Sequence, residues 1–174
     1  MSWSDTVSPL PPLQDVIDDF VLNKQAYRGL VRVYKCNINE VDIDEVEKNY
    51  GDKIIKLLDC LRNELQSIVY DINIHTEMSK LNNQGFDTIV ADFHSINKPS
   101  YQGDILIDEV SQCFNEIREV CEQFTEKGSG FWINRINYIE ISIGKYKPHK
   151  CGCSTMELPD QLKKKVLNTT KNRY

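Results

Sequence analysis

The chain has 174 residues, 40% of them hydrophobic and 27% charged, with a formal net charge of −5. That size and composition suit one globular domain with an ordinary core, and no apolar run approaches the ~18 residues of a membrane-spanning helix. The acidic balance excludes a generic nucleic-acid sponge, whose affinity comes from neutralised phosphates.

The opening Met-Ser-Trp-Ser-Asp-Thr lacks the basic and apolar regions of a secretory signal, so an intracellular location with no membrane partner is expected. Residues 1–13, rich in Ser and Pro, are expected to form a flexible N-terminus. A single α+β domain is expected over residues 14–148, followed by a basic tail over 149–174 that carries a short helix near Pro159. Residues 14–24 predict a short helix with Val16, Ile17, Phe20 and Val21 on one side. Residues 27–38, with Val31, Val33 and Tyr34, read as a strand. The acidic stretch 39–49 reads as a connector.

A first amphipathic helix follows, with Ile54, Leu57, Leu58, Leu61, Leu65 and Ile68 at steps of three and four. Residues 69–78 then switch to period two, with Tyr70, Ile72 and Ile74 on one face and Asp71, Asn73 and His75 on the other. Asn82-Asn83-Gln84-Gly85 is turn chemistry that joins this strand to a second one over 86–96, making a hairpin. Residues 98–103 read as a loop with Asp104 as an N-cap, before a second helix marked by Ile107, Val110, Phe114, Ile117, Cys121 and Phe124 and ended by Gly128. Residues 136–146 alternate again, with Ile139, Ile141 and Ile143 on one face and Tyr138, Glu140 and Ser142 on the other. The order strand, helix, strand, strand, helix, strand predicts a βαββαβ ferredoxin-like fold, a four-stranded antiparallel sheet with both helices on one face.

The six cysteines, Cys36, Cys60, Cys113, Cys121, Cys151 and Cys153, are expected to be reduced, with those in regular elements acting as small apolar fillers. His149, Cys151 and Cys153 bring three zinc-type ligands into five residues, but a structural site needs a fourth. An incidental surface loop is the preferred reading, with zinc as the alternative and otherwise no cofactor. His75 and His94 are placed where they could meet on the sheet beside Asp92; polar residues on an open face are the blander reading. Against the signature of base-stacking sheets, Tyr34 and Phe86 stand on the first and third strands, and Lys145, Lys147, Lys150, Lys163, Lys164 and Lys165 supply a basic tail. These residues make up the nucleic-acid reading. The third-strand signature is incomplete, because Thr88 and Ala91 occupy aromatic positions.

The segment Gly128-Ser-Gly-Phe-Trp-Ile-Asn-Arg-Ile136, the strand Ile139 to Tyr146 with the corner Lys147-Pro148, and the run Leu158-Pro159 to Lys163-Lys-Lys-Val-Leu-Asn168 form a set. The set resembles the region upstream of protein-primed type B DNA polymerases in arthropod Maverick (Polinton)-like mobile elements or endogenous viruses. The resemblance covers residues 104–173. It departs at Phe131, where a tryptophan is usual, at Lys147, which replaces an asparagine, and at Cys151 and Cys153 in a loop that usually carries Gly or Ser. It implies a non-catalytic accessory or interaction domain, cut from a larger polypeptide or persisting as a short gene, that acts on DNA replication proteins or DNA. A protein partner or self-association is expected, with nucleic acid as a further partner through the tail.

Overall fold

The computed structural model describes residues 16–17 and 19–147. The elements are β1 (Val16–Ile17), β2 (Phe20–Ala26), a short turn (Tyr27–Gly29), β3 (Val31–Glu40), α1 (Ile43–Leu65), β4 (Ser67–Asn82), β5 (Gly85–His94), β6 (Lys98–Tyr101), α2 (Leu106–Phe124), a closing turn (Thr125–Ser129) and β7 (Trp132–Lys145). The architecture is α+β, with every strand pair antiparallel. No helix of the described residues is long and apolar enough to cross a membrane.

The sheet corrects the ferredoxin-like expectation of four strands. Seven strands lie in the order β1-β2-β3-β7-β4-β5, and β6 pairs with the first part of β4. Strands β5 and β6 thus share one edge of β4, β6 beside Ser67 to Tyr70 and β5 beside Asn73 to Asn82. The final strand β7 lies between β3 and β4 and hydrogen-bonds to both. The two central places of the expected unit therefore go to its second and last strands, whereas a ferredoxin-like sheet centres its first and third.

Four further expectations change. The described residues of the expected helix over 14–24 form a hairpin of β1 and β2 instead, with Val16 opposite Val21 and Ile17 opposite Phe20. An isolated helix that short is marginal in water, whereas the hairpin extends the sheet past β3 and buries Phe20 completely. The supposed acidic connector starts α1: the Asp42 carboxylate accepts the Asp44 amide at 2.9 Å, and Asp44 and Glu45 sit at the positive end of the helix dipole. The supposed loop after residue 97 contains β6, and Asp104 caps no helix; its carboxylate accepts the Tyr101 amide at 2.8 Å. The left-handed residue after α2 is Gly130, at φ 67°, rather than Gly128.

Both helices lie against one face of the sheet and share one core. Ile54, Leu57, Leu58 and Leu61 of α1 and Val110, Phe114 and Ile117 of α2 pack with Ile72, Ile74, Ile139 and Ile141. Arg118 holds the helices together by bonding Asp44 at 2.6 Å and Glu47. Under α1, the buried Arg32 donates twice to Glu64, at 3.0 and 2.8 Å, and once to the Gly29 carbonyl at 2.6 Å. Cys36, Cys113 and Cys121 are buried free thiols, and burial pushes each thiol's pKa up. Cys60 is free and exposed.

Candidate interaction surface

The helices cover one face of the sheet, so the alternate residues of each strand form a second face that no helix covers among the described residues, called the open face below. Cross-strand register places Lys35, Glu140, Asn73 and His94 in one row of that face, and Asn37, Tyr138, His75 and Asp92 in the next. The second row is a stack. The His75 and Tyr138 rings lie 4.3 Å apart at 8°, His75 Nδ1 is 2.7 Å from Asp92 Oδ1, and Lys35 Nζ sits 3.7 Å over the Tyr138 ring. Both faces of Tyr138 are therefore occupied by neighbouring side chains.

The two histidines do not meet. His75 faces Asp92, while His94 Nδ1 lies 3.9 Å from Asp71 Oδ2. Among the described residues no group of three or more His, Cys, Asp or Glu could hold a metal ion. His149, Lys150, Cys151, Cys153, Lys163, Lys164 and Lys165 lie outside the described residues.

Burial pushes the Asp71 carboxyl above the usual carboxylate range, while His94 and a bond from Ser142 oppose that rise. A carboxyl that holds its proton more tightly in the folded chain favours the fold at low pH and loses that contribution as pH rises through its folded pKa. Asp71→Asn should therefore raise the melting temperature at neutral pH and leave it unchanged below about pH 3.9, the unperturbed value. Parallel thermal melts of parent and variant across that range check it, and a uniform offset at every pH would refute the cause.

The nucleic-acid residues are not brought together. Tyr34 is fully buried on the helix side of β3, which leaves no ring face for a base. Phe86 is 69% exposed at the far end of β5, opposite Leu81. Lys145 and Lys147 are exposed at the other end of the sheet, where Lys145 lies opposite Ile68. Leu81 and Ile68 are separated along β4 by about 40 Å at the rise of a strand.

What the open face does collect at the hairpin end is apolar. Phe86 meets Trp132 edge-to-face at 6.0 Å, Leu81 lies opposite Phe86, and Leu81 and, farther along β5, Val90 are more than half exposed. On the helix side of the same edge a groove of about 470 Å³ runs between β5 and α2, floored by Ala91, Phe93, Val120 and Phe124, with Gln123 and Lys127 at its mouth. The sequence placed Phe86 at the start of a strand. It gave no sign of Trp132 as its partner, because they meet only through β4. No protein-family model matches the chain, and neither characterised proteins nor solved structures return a match.

The acids of this surface bear on what it can bind. Asp71, Glu77, Asp92 and Glu140 share the open face with Lys35 and Arg135, and Arg135 Nη2 lies 3.7 Å from Glu77. A phosphate backbone approaching it would meet more negative than positive charge.

Proposed function

We propose that the chain is a non-catalytic interaction domain that binds a protein partner through the β5 side of its sheet. The observation that carries this reading is the exposure of Leu81, Phe86, Val90 and Trp132 toward the hairpin end of the open face, on β4, β5 and β7, while the polar residues of that face are largely paired with one another. Exposed apolar groups of this kind mark interaction sites, protein–protein contacts among them. The accessory role beside a protein-primed DNA polymerase, and an origin in a mobile element or virus, rest on the sequence resemblance over residues 104–173.

A photo-crosslinking amino acid placed at Phe86 or Trp132 in cells expressing the protein should give a discrete protein adduct. The same group at Lys48, exposed on α1, should give none. Adducts only to nucleic acid, or equal adducts at all three positions, would defeat this reading.

A further inference from the structure

We propose that β5 takes up an extended, basic segment of a partner protein as an added strand, an inference that rests on the interaction-domain reading and names the chemistry of its partner. The sheet has two ends. At one, the described residues of the edge strand are Val16–Ile17. At the other, β6 is blunted by Lys98 and Pro99, but β5 runs for ten residues, Gly-Phe-Asp-Thr-Ile-Val-Ala-Asp-Phe-His, with neither lysine nor proline and with Asp87 and Asp92 as its only acids. Edge strands of stable proteins are usually shortened, charged with lysine or broken by proline, because a bare edge recruits another strand. Among the described residues β5 pairs only with β4, so its outer row of amides and carbonyls has no strand partner.

The surroundings of that edge are shaped for side chains as well as backbone. Alternate residues of an added strand would point into the β5–α2 groove against Val120 and Phe124, and the others would lie beside Phe86 and Val90. Charge selects the occupant. Asp87 lies on β5, and Glu119 and Glu126 are exposed on the adjoining helix and turn; Asp92 also lines the groove but is already paired with His75, and Lys127 is the one base lining it. Glu116 is already paired with Lys98 at 2.7 Å. A second copy of this chain, paired edge to edge about a two-fold axis, would bring two sets of these acids together, and like charges across strands are destabilising. A segment with apolar residues at alternate positions and Lys or Arg between or beside them meets both the groove and the acids.

The test is titration of the whole isotope-labelled chain with a short alternating Lys–Val peptide, followed by NMR and calorimetry. Binding should perturb residues 85–94 and 120–127 and weaken as salt is raised. The same peptide N-methylated along one edge should bind at least about tenfold more weakly, because it cannot donate to β5. Glu119→Lys with Glu126→Lys, both on exposed positions, should weaken the Lys–Val peptide about tenfold and favour an alternating Glu–Val peptide. Absence of Lys–Val binding at low salt, perturbation centred elsewhere, indifference to N-methylation, or concentration-dependent pairing of β5 without peptide each overturns the proposal. Crosslinks from Phe86 to a protein together with failure of these titrations would leave the interaction-domain reading standing and remove only strand addition.

Discussion

Phe114→Ala is expected to lower the stability of the fold by about 3–5 kcal/mol, the usual cost of emptying a phenylalanine site in a packed core. Phe114 has no exposed surface and sits in the stripe of α2 that packs on the sheet, among Val110, Ile117 and the isoleucines of β7. Neighbours on a helix and a central strand relax little, so the cavity term adds to the lost transfer energy. For a chain of this length the melting temperature should fall by roughly 10 °C. Denaturant melts of parent and variant measure the loss directly, with an unchanged slope showing that the unfolded state is the same. Ile107→Ala on the same helix is the control. Ile107 is 60% exposed, and its truncation should cost less than about 1 kcal/mol. Equal losses at the two positions would mean that the helix is rotated relative to the face described above.

The second large effect is expected at Arg32. Its guanidinium has 1% of its side-chain surface exposed, and Glu64 has 15%. Arg32→Ala removes two bonds to Glu64 and one to Gly29 and leaves a carboxylate with little access to water. Breaking such a pair from one side costs about 3–5 kcal/mol. Replacing both members with apolar residues of similar volume, as in Arg32→Met with Glu64→Leu, should recover most of that loss, since the desolvation cost of the pair disappears with it. Melts of the single and double variants form the comparison. A double variant as unstable as Arg32→Ala would show that the bond to Gly29, and with it the turn Tyr27–Gly29, matters more than the charge pair.

These two sites differ in how far they could be read from the chain. Phe114 stands in a run with steps of three and four, so its burial follows from helix geometry alone. Ile107 was assigned to the same stripe but points outward, and Leu106 is buried instead. The phase slipped because the start of α2 carries no side-chain cap to mark it. Arg32 gave no local signal, since its partner lies thirty-two residues later and reaches it only when α1 packs under β3.

Of the candidate surface, the alternation of β4 and β7 correctly assigned His75 and Tyr138 to the face away from the isoleucines. It did not show that they stack, or that Asp92 rather than His94 faces His75. Two bulges also interrupt the parity of β7. Thr76 pairs with Ile136 and Met78 with Ile133, so Ile136 turns inward although its even number would put it beside Tyr138. The nucleic-acid reading depended on Tyr34 facing outward, and Tyr34 lies in the same inward row as Ile141.

By itself the sequence determined the two long helices, the Asn82 to Gly85 hairpin turn and the inward face of most strands, because each follows from a local period of 3.6 or 2 or from the φ freedom of Asn and Gly. Only the tertiary structure decided that β1 and β2 extend the sheet, that β7 sits between β3 and β4, and that, among the described residues, β5 pairs on one side alone beside α2. A period records which way a side chain points. It carries no record of which strand supplies the next row of hydrogen bonds, and that choice is made by contacts between residues far apart in the chain.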